Sequence, residues 1–417
     1  MKKADNVIVG NNAIYSTDSR ETGLNNNILI VGGSGCGKTM SIVEPCLIEA
    51  FNSSLIINVT KRRLVEKYSS EFKKRGYKVY DCNFANPTKS NVAYDPMFYI
   101  KNYMDIIFLS ESIVKSAEKD LSNTVDPYWN DSAIALLNSE IAYILYTSKN
   151  PTLSDVIDFH NSMDLAGSDS GVITKHDMKF KSLARKDPDN FAVTSWNVFR
   201  QLPERTARCI WGTLQTSLSR MFTPELHDMI NIKQKIDIKK VAKEKSVVFI
   251  STSAVNPTLN KFVNIFFSQA FKCLFEYAEE QPNGKLPVPV RMICDDFATG
   301  GQIANFTQYI SIFREKEISV TLLLQSESQL AGMYGQNDST TIINNCDTYV
   351  YMGGMDLQTG RSISERINKP IEDILYMPIG QEYIFRRGSK PVRTTRYDIS
   401  KDERYIKISQ GCKENIR

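Results

Sequence analysis

Little in this 417-residue sequence could hold a chain together from outside its own core. Its eight cysteines (Cys36, Cys46, Cys82, Cys209, Cys273, Cys294, Cys346 and Cys412) form no CxxC pair. Cys46, Cys273 and Cys294 lie in apolar segments, as buried thiols do, so a disulfide framework is excluded and a reducing, cytoplasmic compartment is expected. Histidine occurs only at His160, His176 and His227, without ligand spacing, which leaves no zinc site to build. No run of about 18 apolar residues exists, hence no membrane span is expected. The nearest approach, "AIALLNSEIAYILY", is interrupted by Asn138, Ser139 and Glu140 and reads as a packed helix. The opening "MKKADNVIVGNNAIYS" lacks the apolar stretch of a signal peptide. Low-complexity tracts, solenoid-length repeats and Gly-x-Ser-x-Gly or Cys/His nucleophile signatures are missing too. The 51 lysines and arginines and the 47 acidic residues nearly balance. The net charge of +4 is too small to argue for nucleic acid by itself. Basic clusters at 60–78, 175–186 and 232–245 are mixed with acids or apolar residues at helical spacing, as on solvated helix faces.

What is there is an ordinary globular composition, 42% hydrophobic and 24% charged, in a chain long enough for about two to three domains. The apolar run "NILIV" is followed by a glycine-rich loop and then by a helix, "KTMSIVEPCLIEAF". "SLIINV" (54–59), a helix closed by Gly76 and "YKVYDC" continue a βαβαβ alternation, the pattern of a parallel sheet with helices on both faces. From about 100 to about 225 the text is helical. Ile134, Leu137, Ile141 and Leu145 fall on one stripe, as do Ala207, Trp211, Leu214 and Leu218. Strands resume at "SVVFIS" (246–251). Asn256 and Pro257 then open a long helix with Leu259, Val263, Phe266, Phe267, Ala270 and Leu274 on its buried side. "VRMICDD", "ISVTLLLQS" and "DTYVYMGG" complete the strands. The expected architecture is a nucleotide-binding α/β domain split over 1–98 and 226–417, with an all-α domain inserted at 99–225.

Three motifs carry chemistry. Gly32-Gly33-Ser34-Gly35-Cys36-Gly37-Lys38-Thr39 matches GxxxxGK[ST] in full, with a strand before it and a helix after it. Such a loop turns backbone N–H groups onto the phosphates of ATP, and the helix that follows aims its positive end at the same anions. Lys38 supplies a point charge to the β/γ phosphates, and the Thr39 hydroxyl reaches Mg2+. In "VRMICDDFATGG" an apolar strand ends in Asp295 and Asp296. Asp295 would hold Mg2+ through its water shell and Asp296 would orient or deprotonate the attacking water. The competing view is two exposed acids at a strand end, although acids at that end of a central strand face the sheet's binding crevice. "ISVTLLLQSESQL" places Gln325 either against the γ-phosphate or in a buried capping role. Between these strands Arg314 is either an arginine finger toward a neighbouring subunit or a partner in a local ion pair.

The order of these motifs, the "NNCDTYVYMGG" segment, "RGYKVYDCNFANPTKSNVAYDP" and "PYWNDSAIALL" together resemble the coupling ATPases of type IV secretion and conjugation, the TraG-like conjugative DNA-transfer family, from about Asn25 to about Tyr397. The resemblance implies a RecA-like motor with an all-α domain, assembled as hexameric rings with ATP and Mg2+ at subunit borders. It implies recruitment of DNA, relaxase–DNA complexes or effector proteins to secretion-channel proteins, in the cytoplasm or at the inner face of the cell membrane. On that reading Gln325 senses the γ-phosphate, Arg314 is the finger, and Trp129 lies near the substrate entry. Two local departures stand out. The family usually ends its acidic strand with Asp-Glu, where this chain has Asp296; the shorter side chain would sit about 1 Å from the ideal position, enough to cost about a hundredfold in rate. A family segment Asp-Pro-Lys-Gly-Glu is replaced by Val59-Thr60-Lys61-Arg62-Arg63, in which only the lysine is kept. The family's amino-terminal membrane helices are not in this sequence, so the expectation is a soluble piece or a soluble relative beside an anchored partner. The alternative to a motor is a nucleotide-binding receptor that docks secreted proteins with weak or no hydrolysis.

Overall fold

The computed structural model describes residues 4–116, 127–165, 171–253, 259–297 and 302–414. Asn256 and Pro257, expected to open the long helix, and Thr299 to Gly301, at the end of the acidic motif, lie outside the described residues. The chain forms two compact units, one of 1–83, 237–255 and 270–417, the other of 84–236 and 256–269.

The first unit is built on nine strands. A hairpin of β1 (Asn6–Gly10) and β2 (Ala13–Ser16) stands apart from them. The sheet itself contains β3 (Ile28–Val31), β4 (Ser54–Val59), β5 (Lys78–Asn83), β6 (Ser246–Ser251), β7 (Val290–Cys294), β8 (Ile318–Leu324), β9 (Thr348–Tyr351), β10 (Gln381–Arg386) and β11 (Val392–Thr395). Their order is β11-β10-β9-β3-β8-β7-β4-β6-β5. From β9 to β5 every neighbour pair is parallel, and β10 and β11 add an antiparallel edge. The parallel strands are the near-continuous apolar runs that a sheet covered on both faces requires, and β3, β6, β7 and β8 are buried along their whole length. Ile30, Ile57, Phe249, Ile293, Leu323 and Val350 meet in one core with Leu47, Tyr68 and Phe72 from the covering helices.

Local chemistry sets the helix ends. The helix Arg63–Lys74 stops at Gly76, whose φ of +78° only glycine adopts cheaply. Gly76 N–H donates to Lys73 O and Tyr77 N–H to Phe72 O, both at 3.0 Å, and the Phe72 and Tyr77 rings pack edge to face at 5.0 Å. That is a Schellman stop with its hydrophobic contact. The segment after the glycine-rich loop differs from the continuous α-helix expected. Thr39–Val43 is a π turn, and α-helix proper runs over Glu44–Ile48. Pro45 explains the difference: it has no N–H to answer the Ser41 carbonyl, so the preceding turn opens to the wider spacing, with Glu44 N–H on Thr39 O.

The second unit is helical, with helices at Tyr103–Ser116, Pro127–Thr147, Leu153–Asn161, Lys175–Ala184, Phe191–Arg200, Glu204–Met221 and Pro224–Ile230. Its central helix, Pro127–Thr147, is buried nearly all round rather than along one stripe: Ala133, Leu136, Asn138, Ser139, Glu140 and Ala142 are inside together with Leu137 and Ile141. The polar residues that broke its apolar run are therefore core residues. Glu140 meets His160 Nδ1 at 2.8 Å, both side chains fully buried, beneath the half-buried Trp211 ring stacked on His160 at 5.2 Å. No helix of the described residues is long and apolar enough to cross a membrane.

Candidate active site

Because β9, β3, β8, β7 and β4 run the same way, their carboxyl ends share one edge, and the residues expected to do chemistry follow those ends. The glycine-rich loop leaves β3 between β8 and β9. Gly32 N–H donates to Leu324 O at 3.1 Å and Gly33 N–H to Gly353 O at 2.8 Å, so the loop is pinned to both neighbours. A Cβ on Gly32 would lie 2.7 Å from Cys36 Sγ and 2.9 Å from Met352 Cβ, which leaves no room for a side chain. Gly37 has φ +96°. Lys38, only 9% exposed, donates its ammonium to the carbonyls of Gly32 and Gly33. Thr39 is equally inaccessible at 8% and starts the π turn.

Asp295 directly follows β7 and is 6% exposed. Burial, and next the charge of Asp296, push its carboxyl up to about 6, while the ammonium groups of Lys61 and Lys38 pull the other way. Those interactions put four charged groups, Lys38, Lys61, Asp295 and Asp296, within one field. Asp296 is half-buried with φ +52°, a left-handed conformation that a non-glycine residue holds only under constraint. Gln325, at the end of β8, is exposed, not buried, and its N–H donates to Gln329 Oε1 at 3.3 Å. A hydroxyl at Thr39 and a carboxylate at Asp295 are the hard oxygen donors that Mg2+ takes.

Arg314 is not brought to this edge. It is exposed near the end of the helix Phe306–Lys316, which leads into the amino end of β8, and its Nη2 donates to Ser19 O at 3.5 Å. The length of β8, roughly 20 Å at the usual rise per residue, separates it from the Gln325 end. A carboxylate-to-arginine contact of Arg314 is not among the ion pairs of the described residues.

Two further side chains approach the site. Lys61 follows β4, and the loop that carries it is anchored by Arg62, which holds Asp81 with both guanidinium nitrogens and donates to Ser251 Oγ at 3.1 Å. That bidentate clamp across the ends of β4, β5 and β6 fixes the segment where the family motif is altered. Arg396, just past β11, donates to the Cys36 carbonyl of the glycine-rich loop. Periodicity had no way to signal it, because the contact spans 360 positions of sequence.

The whole arrangement can be set beside known proteins. The family model for type IV secretory system conjugative DNA transfer matches residues 1–370. The plasmid coupling protein TrwB in complex with the non-hydrolysable GTP analogue GDPNP matches with a TM-score of 0.70 at 16% identity, over 95% of this chain and 90% of that one. TrwB in complex with ADP and Mg2+ gives 0.65 at 15% identity, over 89% and 85%. VirB4 of Thermoanaerobacter pseudethanolicus gives 0.53 at 12% identity, over 97% and 98%. A sequence comparison with curated proteins gives no significant match. At these identities the structural likenesses establish a RecA-like α/β fold, and the family model reaches further. The chain belongs to the type IV secretory system conjugative DNA-transfer family.

Proposed function

We propose that this chain is an ATP-driven coupling motor that recruits DNA or nucleoprotein and drives its transfer through a type IV secretion channel. The observation that carries the reading is the shared strand edge: the Lys38–Thr39 loop, the Asp295–Asp296 pair and Gln325 follow the ends of three adjacent parallel strands. ATP takes its phosphates in the glycine-rich loop, with Lys38 on the β/γ oxygens. Mg2+ is held by Thr39 and, through water, by Asp295, and supplies electrophilic charge at the γ-phosphate. Asp296 orients the attacking water, and Gln325 reports the γ-phosphate. Arg314, remote from its own chain's loop, serves the site of a neighbouring copy, which asks for a homo-oligomer and is met by a hexameric ring. Family membership and the nucleotide complexes of TrwB support the cofactor pair. The direct test is ATP hydrolysis with and without DNA: turnover rises with DNA and falls by about a hundredfold in Lys38→Ala. Turnover that ignores both DNA and Lys38 would refute the reading.

A second reading is favoured by one residue. Asp296 is one methylene shorter than the family's glutamate and sits in a constrained backbone. A receptor that binds ATP and docks secreted proteins without turning it over would look the same. Tight ATP binding with negligible hydrolysis, and hydrolysis gained in Asp296→Glu, identifies that case.

A further inference from the structure

Arg396 and Glu382 sit on one face of the β10–β11 hairpin. Glu382 pairs with Thr394 in the register, and Arg396 N–H donates to Gly380 O at 2.9 Å, so the two long side chains are diagonal neighbours. Arg396 leans over the glycine-rich loop. Its guanidinium donates to Cys36 O, and a Cβ on Gly37 would stand 2.6 Å from its Nη1. Glu382 is 0% exposed, and neither carboxyl oxygen has a hydrogen-bond partner. It lies over Gly10, where any side chain would collide with its Oε1. A buried acid with no partner is a poor choice for β10, a strand paired on both sides, whose structural need on this face is apolar.

We infer that Arg396 is a positioning residue of the nucleotide site, holding the Cys36–Gly37 turn in its phosphate-binding shape, with Glu382 as its competing acceptor. Arg396 has this role only if the loop takes phosphates, as proposed above. The guanidinium holds one carbonyl of the loop, so the N–H groups that follow, from Gly37 to Thr39, keep their direction; its charge also adds to the field the phosphates meet. Its diagonal neighbour Glu382 feels the Arg396 charge and offers a second acceptor once ionised. Burial pushes the Glu382 carboxyl up to about 8, against the pull of Arg396. Near neutral pH it is mostly uncharged and leaves Arg396 on Cys36; above that range its negative charge draws the guanidinium off the loop. Arg386, at the far end of β10, covers the Tyr15 ring at 3.7 Å, and Cys36, whose carbonyl Arg396 holds, brings a thiol to the same loop.

The test is titration of the full chain with ATP and Mg2+. Arg396→Ala weakens binding by about tenfold at pH 7, the loss of one charge-assisted contact. Arg396→Lys, the variant least able to disturb folding, falls between wild type and alanine. From pH 7 to pH 9 wild-type affinity declines, whereas Glu382→Gln, which cannot ionise, stays level. A merely structural hairpin would move the melting temperature and not this pH profile. Wild-type affinity in Arg396→Ala, or a Glu382→Gln profile that declines as wild type does, overturns the inference while Lys38→Ala still abolishes binding. Undiminished binding in Lys38→Ala instead removes the nucleotide site itself.

Discussion

Lys38 keeps its ammonium on the carbonyls of its own loop and its stem out of water, next to a buried carboxylate. Replacing it with alanine takes away the one cation that the loop itself supplies, so ATP affinity falls by about a hundredfold or more in an equilibrium titration, with little change in thermal midpoint. Gly37→Ala acts on the same loop by another route. Its methyl group meets Arg396 and its φ of +96° excludes a side chain, so nucleotide binding drops even though Lys38 is intact. Asp296→Glu has the opposite sign. The longer carboxylate reaches the family's position, and steady-state turnover rises by about tenfold or more over wild type if geometry limits the rate. The residues of the shared edge were legible because glycine spacing, a lysine and paired acids each answer a chemical demand that few other arrangements meet. Arg396 and Glu382 were not, since one follows an exposed edge strand and the other interrupts an apolar pattern.

The seven parallel strands could be read directly, because strands covered on both faces become near-continuous apolar runs such as "LIINV" and "VTLLL". The two antiparallel hairpins escaped that reading. β2 buries only Ala13 and so makes no apolar run for β1 to pair with, and β10 carries Glu382 where alternation would place an apolar residue. The π turn escaped for a related reason, as the effect of Pro45 on hydrogen-bond register changes no hydrophobic spacing. The Gly76 stop was legible, and it makes a prediction for its helix. Gly76→Ala forces a left-handed alanine at the Schellman position and destabilises the first unit by about 1 kcal/mol, seen as a lower thermal midpoint with ATP binding retained. An unchanged midpoint would mean that the helix end relaxes at no cost.

For the whole molecule the decisive fact is that Arg314 lies at the strand end away from Gln325. In a ring whose contacts run head to tail, that edge of one copy meets the loop of the next. Arg314→Ala and Lys38→Ala should then each abolish turnover alone. Mixed in equal amounts they recover about a quarter of it, because half of the intact loops gain a neighbour with an intact arginine and only half of the chains carry such loops. The small net charge of +4 does not stand against DNA, since a ring gathers its basic side chains from every copy into one channel. The most direct measurement is ATP turnover per chain as protein concentration rises in the presence of DNA, with Lys38→Ala alongside. Coupled, neighbour-completed hydrolysis predicts a turnover per chain that climbs with concentration, climbs further with DNA, and falls by about a hundredfold in the variant. A rate per chain that stays flat across concentration and DNA, or persists in Lys38→Ala, would contradict it.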